Sequence, residues 1–166
     1  MEDIFKSISR YNILNYLIPG TIFCAILRMT TSYDLVQAEL AIGLFLYYFV
    51  GIVISRIGSL IVEPILMKIK LVKHAQYENF IAASKKDQKI ELLSETNNTY
   101  RTLLAMLLVL GLAGIADWFV AKFEIPSSIQ FFTLIVILIV LFIASYSKQT
   151  AYINKRVKVG FDKQNK

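Results

Sequence analysis

Four long apolar stretches divide this chain, at residues 11–29, 40–62, 102–121 and 129–146, and more polar segments separate them. A helix that spans a membrane needs about 20 mostly apolar residues, because the hydrocarbon core is about 30 Å thick and each residue rises about 1.5 Å. In lipid, every backbone N–H and C=O has to be paired within the segment, which requires a helix. The pattern therefore predicts an all-α integral membrane protein with four transmembrane helices.

A soluble four-helix bundle is the alternative, and the fourth stretch argues against it. Residues 129–146 carry no charge, and Gln130 is their one strongly polar side chain. A soluble bundle would need a polar outer face on each helix. Hydrophobic residues make up 56% of the chain, whose mean hydropathy is +0.56. The polar remainder is too short for a second folded unit, so we expect one membrane domain over residues 1–166.

The distribution of basic residues predicts an orientation. Residues 68–101 hold seven basic and four acidic side chains, and the tail, residues 147–166, holds six basic side chains against Asp162. Lys and Arg are enriched in the cytoplasmic loops of membrane proteins. We therefore expect both termini and the 68–101 segment to lie in the cytoplasm.

Small residues recur at helical spacing on the second and third predicted spans. Such residues let a neighbouring backbone approach closely, which is how helices associate in lipid. The contacts are either within the chain or between subunits of a homo-oligomer. The pattern places helices two and three at the core and helix four outward. The residues of this set are Gly43, Gly51, Ser55, Ser59, Gly111 and Gly114.

Four charged residues lie in or near the predicted spans. Ionisable groups at membrane depth are costly and mark functional positions. Arg56 either extends its guanidinium to the membrane surface or lines a polar cavity. Glu63, two turns later, either joins that lining or marks the helix end. Arg28 and Asp117 both lie toward the outer boundary, which predicts a salt bridge between them.

The 68–101 segment reads as two short amphipathic helices, with apolar faces around residues 77–81 and 90–93. The residues between them, 84–87, match a capping box. We expect Asn97 or Asn98 to cap the third spanning helix, because a side-chain oxygen there can accept from unpaired backbone N–H groups.

Five basic side chains outside the spans are candidate contact residues. They form a solvated flank, attract anionic lipid headgroups or bind a soluble cytoplasmic protein. We expect no direct binding of nucleic acid, since the tail is short and carries no fold for reading bases. These residues are Lys85, Lys86, Lys155, Arg156 and Lys158.

The sequence carries no catalytic signature. A glycine-rich phosphate loop, a GxSxG motif and an HExxH motif are all missing. With Cys24 and His74 as the single cysteine and histidine, there is neither a disulfide nor a paired metal-ligand set. We therefore predict a non-enzymatic protein without catalytic residues, metal or cofactor, and we interpret Cys24 as a packing residue.

Three segments carry a family resemblance. They are YNILNYLIPG at residues 11–20, SRIGS at residues 55–59 with Glu63-Pro64 after it, and NNTYR at residues 97–101. Together with the overall plan, they resemble small bacterial four-helix membrane proteins of phage-defence systems, of the Kiwa-type or CRISPR-associated membrane components. The resemblance implies a sensor or effector of the bacterial inner membrane that acts with a soluble cytoplasmic protein. It assigns no functional residue.

These observations lead to one leading hypothesis and two alternatives. The leading hypothesis is a homo-oligomeric membrane sensor or effector in antiphage defence, of which a pore is one form. The first alternative is a passive anchor that recruits a cytoplasmic protein through the basic segments. The second is a small channel or transporter unrelated to defence.

Overall fold

The computed structural model describes residues 11–161, and the regular elements in this part of the chain are all helical. Four of the helices are long and apolar enough to span a membrane, which confirms the all-α class and the four predicted apolar helices. In chain order the helices are α1 (Ile13–Thr30), α2 (Leu40–Lys68), α3 (Tyr77–Ser84), α4 (Lys89–Phe123) and α5 (Ser127–Phe161).

The long helices alternate in direction. Short links, residues 31–39 and 124–126, join them at one end of the bundle, which we call the short-loop end. The opposite end carries the 69–88 segment between α2 and α4, and we call it the basic end. Both ends of the described chain lie there. Residues 1–10 and 162–166, for which the same side is predicted, fall outside the described residues.

The core consists of α1, α2 and α4. Its buried side chains include Phe23, Leu27, Ile54 and Met106, so each of the three helices contributes. Of the 18 most apolar consecutive residues in each helix, 33% are buried in α1 and 6% in α5. The fourth spanning helix is therefore outward, as expected. The expected core of the second and third spans was incomplete, because the first span is packed into it.

Two prolines are accommodated by wide turns. A π turn, Ile13–Leu17, precedes Pro19 in α1, and a second, Gly58–Val62, precedes Pro64 in α2. Proline lacks an N–H, and its ring crowds the carbonyl four residues earlier. A π turn widens the helix there and lets it continue. The suggestion that α2 ends at Glu63 is therefore wrong.

The 68–101 segment differs from its prediction in its second half. Helix α3 corresponds to the first predicted amphipathic helix, but the second is the start of α4. No glycine or proline interrupts residues 89–101, so Asn97 and Asn98 lie inside the helix and do not cap it. The capping box is also wrong: the Ser84 hydroxyl donates to the Ile81 carbonyl.

Helices α4 and α5 are longer than a bilayer requires. Each has 35 residues, or about 52 Å at the usual rise of an α-helix. Because the hydrocarbon core is about 30 Å thick, about 20 Å of each helix extends beyond it. The links at the short-loop end are brief, so the extensions project from the basic end.

Candidate functional site at the basic end

Two glycines allow α1 and α2 to cross in backbone contact. A Cβ atom added at Gly20 would overlap the carbonyl oxygen of Tyr47, and one added at Gly51 would overlap that of Tyr16. Both obstacles are backbone atoms, which cannot rotate away. The crossing therefore requires glycine at both positions, and it fixes the distance between the two helices.

A buried polar triad, Asn15, Ser55 and Thr102, joins the same helices to α4. Their relative exposures are 0%, 1% and 0%. The Thr102 hydroxyl lies 2.9 Å from Asn15 Oδ1 and 3.3 Å from Ser55 Oγ, and Asn15 Nδ2 lies 3.4 Å from Ser55 Oγ. The Asn98 carbonyl, at 2.9 Å, is a further acceptor for Thr102. Polar bonds between helices are a recognised source of association in lipid.

An ionic cluster lies nearer the basic end and is centred on the Glu63 carboxylate of α2. His74 of the 69–76 link approaches Oε1 at 3.0 Å, while Arg101 of α4 and Lys148 of α5 approach Oε2 at 3.2 and 3.3 Å. We use the name ionic cluster for these four residues. One carboxylate thus connects α2, α4, α5 and the link.

Lys148 attaches α5 to the core through several polar contacts with α2. Its ammonium donates to the Ser59 carbonyl at 2.6 Å and to the Ser59 hydroxyl at 2.8 Å, besides its contact with Glu63. The side chains of Glu63, Arg101 and Lys148 are 14%, 18% and 26% exposed. Removing one partner from such a sheltered set leaves another charge uncompensated.

The ionic cluster lies about one hydrocarbon thickness from the short-loop end of the bundle. Counted from the short-loop ends of their helices, Glu63, Arg101 and Lys148 lie about 32–35 Å along the axes. A hydrocarbon layer of about 30 Å would end just before them. At this depth charged side chains can reach interfacial water and lipid headgroups.

Arg56 is separate from the ionic cluster. Its Nη2 lies 3.5 Å from the Tyr16 hydroxyl. Its Nε is buried and has no hydrogen-bond partner among the described residues. Arg56 and Glu63 share α2 but contact different residues of the chain, since Glu63 takes its partners from α4, α5 and the link; a common polar lining stays a prediction.

A pocket of about 160 Å³ opens beside the ionic cluster, between α2, the link and α4. Its lining combines apolar and polar side chains. These are Glu63, Leu66, Val72, His74, Asn97, Tyr100, Arg101 and Leu104.

The short-loop end has a different charge arrangement. Arg28 pairs with Asp34 at 3.4 Å, and both side chains are more than half exposed. Asp117 accepts hydrogen bonds from the backbone N–H and the hydroxyl of Ser32. The predicted salt bridge between Arg28 and Asp117 is therefore wrong, because the 31–39 link supplies nearer partners to both. Burial and the nearby Asp117 carboxylate raise the pKa of the Tyr33 phenol.

The predicted small-residue set divides into two groups. Gly51, Ser55 and Ser59 make contacts between helices within the chain. A Cβ on Gly43 would meet only its own helix neighbour, the Tyr47 ring, whereas Gly111 and Gly114 have nothing within 4 Å of the added atom. Packing within the chain explains the first group, and contact with another subunit stays a prediction for Gly111 and Gly114.

The predicted basic contact residues lie apart from the ionic cluster. All five side chains, Lys85, Lys86, Lys155, Arg156 and Lys158, are exposed. Lys85 and Lys86 directly follow α3, the other three lie on the projecting part of α5, and all five are open to lipid headgroups or to a protein.

Sequence reasoning missed several residues of the site. The sequence analysis does not single out Asn15, Gly20, Thr102 or Lys148 as contact residues. A polar amide inside an apolar stretch was the available signal for Asn15, because it needs a partner in lipid. No comparable signal marked Lys148, whose partner depends on how α5 lies against α2.

The fold and these clusters define a class, the multi-pass helical membrane proteins. Comparison of the chain with protein-family models, with curated proteins and with solved structures finds no match. Among residues 11–161, no group of three or more His, Cys, Asp or Glu side chains is placed to hold a metal ion.

Proposed function

We propose that this chain is a non-enzymatic protein of the bacterial inner membrane that couples a soluble cytoplasmic protein to its membrane bundle. In this proposal it works as a homo-oligomeric sensor or effector in antiphage defence. The ionic cluster carries the proposal, because Glu63 connects α2 to three segments that all reach the basic end.

The projecting parts of α4 and α5 offer a surface for a soluble protein. They combine large exposed apolar side chains with basic ones, and exposed apolar patches mark contact surfaces. An acidic rim on the partner would complement the basic residues. The apolar members are Leu92, Leu93, Tyr152, Ile153 and Val157, and the basic members are Lys155, Arg156 and Lys158.

The ionic cluster gives such a partner a route into the membrane. Lys148 and Arg101 lie where the projecting parts of α5 and α4 meet the predicted boundary, and both bind Glu63. A partner that shifts either helix would break its pair with Glu63 and let the charges pair differently. Because sheltered ion pairs change in discrete steps, a two-state response is a natural outcome.

Two further features support the remaining parts of the proposal. The excess of Lys and Arg at the basic end supports its cytoplasmic placement. The open face of α4 at Gly111 and Gly114 can receive a helix of a second copy, since small residues permit close approach. The setting in antiphage defence comes from the resemblance at residues 11–20, 55–64 and 97–101.

The test is phage plating on the source host with the native locus intact. Deletion of this chain should raise plaque numbers, and the double change Lys155→Glu with Arg156→Glu should reproduce the deletion by repelling an acidic partner. Lys122→Glu, at the short-loop end, is the matched control and should keep protection. Equal plaque numbers with and without the chain would overturn the defence setting.

A passive anchor is the second candidate, and the closed centre of the bundle favours it. The glycine crossing and the polar triad fill the space between α1, α2 and α4. Membrane potential during infection separates the two candidates. Loss of the potential change in Glu63→Gln, with partner binding kept, supports the sensor or effector. An unchanged potential with the wild-type chain supports the anchor.

A further inference from the structure

We propose that the pocket between α2, the 69–76 link and α4 binds the phosphate of an anionic phospholipid headgroup, with Arg101 as its charged contact. This assigns a ligand site to the chain in addition to its coupling role. The argument uses the depth of the pocket, its lining, its charge and the donors of Arg101.

The lining matches the region where acyl chains meet headgroups. Leu66, Val72 and Leu104 supply an apolar side, while Asn97 and Tyr100 add polar groups beside the ionic cluster. A volume of about 160 Å³ holds about five water-sized groups. That is room for a phosphate and part of its glycerol, while the acyl chains remain outside along the apolar side.

The depth favours a lipid over a solute. The ionic cluster beside the pocket lies about 32–35 Å from the short-loop ends of its helices, where a hydrocarbon core of about 30 Å gives way to headgroups. Basic pockets between helices at this level are suited to anionic headgroups.

The charge around the pocket is not balanced. Glu63 is the one carboxylate of the ionic cluster, and it faces the cations of Arg101 and Lys148 together with the imidazole of His74. Glu63 and Arg101 line the pocket as one anion and one cation, and the excess positive charge is that of Lys148, which binds the same carboxylate from outside the lining. Excess charge close to hydrocarbon is unfavourable, and a bound anion offsets it.

Arg101 has donors to spare. Its Nη1 binds Glu63 at 3.2 Å. Its Nε is enclosed by protein, so the donors open to a phosphate are the remaining terminal N–H groups of a side chain that lines the pocket and is 18% exposed. A guanidinium has five N–H donors in a planar fork that matches phosphate oxygens, and hydrogen bonds between ions are the strong ones.

Lipid titration of the purified full chain in a neutral detergent, followed by native mass spectrometry, tests the proposal. The probes are phosphatidylglycerol, phosphatidylcholine and inorganic phosphate. We expect phosphatidylglycerol to bind about tenfold more tightly than phosphatidylcholine, as one charge-assisted hydrogen bond would provide. Inorganic phosphate at equal concentration should not displace it, because phosphate alone makes no contact with the apolar side.

Two variants and one control locate the site. Arg101→Gln removes the guanidinium, and Leu104→Trp fills the pocket while keeping the Arg101–Glu63 pair. Both should abolish the preference for phosphatidylglycerol, whereas Lys122→Gln at the short-loop end should keep it. If Arg101→Gln does not fold, Leu104→Trp decides alone.

Three results would overturn the lipid site. They are equal binding of the two lipids by the wild-type chain, an undiminished preference in Leu104→Trp, and displacement by inorganic phosphate at equal concentration. The titration needs neither a protein partner nor infection, so its failure is separate from failure of the coupling function.

Discussion

Helix α5 is more apolar than α1, yet less of it is buried. In the most apolar 18 residues of each helix, 6% of α5 is buried, against 33% of α1. In water the more apolar helix would be drawn inward, but in lipid a leucine-rich face gains nothing by leaving the acyl chains. What α1 has is Gly20, which allows backbone contact, and Asn15, which bonds to α2 and α4.

Helix α5 is attached at two places. Phe142 stacks on Phe49 of α2 with ring centroids 6.0 Å apart, and Lys148 binds Glu63 and Ser59. Of its other side chains, Leu141 is buried and Leu138 and Ser145 are half-buried, while most of the rest face outward. The comparison teaches that small residues and polar bonds, more than apolar content, decide which helix belongs to the core.

Among the substitutions that test this comparison, Gly51→Leu is expected to lower the free energy of unfolding the most. Even the first added carbon overlaps the Tyr16 carbonyl, so α1 and α2 have to separate. Overpacking usually costs about 1–3 kcal/mol, and a backbone obstacle together with disruption of the polar triad should exceed about 3 kcal/mol. Reversible unfolding in mixed micelles measures the free energy.

Gly111→Leu is the matched control for that change. Nothing lies within 4 Å of the added atom, so the free energy of unfolding of the isolated chain should change by less than about 1 kcal/mol, the helix preference of leucine over glycine included. Equal losses in the two variants would show that the glycine crossing is not what holds α1.

Glu63→Gln is expected to cause the second largest loss in the free energy of unfolding. It removes the carboxylate shared by Arg101 and Lys148, whose side chains are 18% and 26% exposed. A fully buried charge left unpaired costs about 3–5 kcal/mol, and partial access to solvent reduces this to about 2 kcal/mol. The same unfolding experiment measures it.

Asp34→Asn provides the comparison at the short-loop end. It breaks the Arg28–Asp34 pair, whose side chains are 57% and 52% exposed. Exposed pairs contribute at most about 1 kcal/mol, and this change should cost less than about 0.5 kcal/mol. A loss as large as that of Glu63→Gln would contradict the special position given to the ionic cluster.

Of the three substitutions in the core contacts, Thr102→Val is expected to lower the free energy of unfolding the least. Valine keeps the shape of threonine but removes the hydroxyl that links Asn15 and Ser55. Polar bonds between helices in membranes average about 0.6 kcal/mol and reach about 1.7 kcal/mol, so we expect about 1 kcal/mol. Thr21→Val, at an exposed hydroxyl bonded within its own helix, should be close to neutral. Thermal unfolding of both variants checks the difference.

The sequence was sufficient to predict four helices and the outward place of the last one. Apolar length is a local property, and residues 129–146 hold no charge to bring inside. The small-residue spacing likewise indicated Gly51 as a contact position. Gly111 has similar local surroundings, yet no atom lies near its added Cβ, because neighbouring helices meet α4 elsewhere.

Long-range partners were beyond the sequence. Arg28 and Asp117 share a depth, but the path of the 31–39 link decided that they bind Asp34 and Ser32. Glu63 before Pro64 was consistent with a helix end, and only the π turn shows that the helix continues. Pairings of this kind depend on rotation and tilt of whole helices, to which a single sequence is nearly blind.

The most direct test of the central claim is a spin-label distance measurement across the basic end. In a Cys24→Ser background, labels at Thr96→Cys on α4 and Tyr152→Cys on α5 report the position of α5. Labels at Thr96→Cys and Ile65→Cys on α2 report the core. With Glu63→Gln added, the account predicts a broadened α4–α5 distribution and an unchanged α2–α4 distribution. An α4–α5 distribution that stays narrow would contradict the claim that the ionic cluster holds α5 to the core.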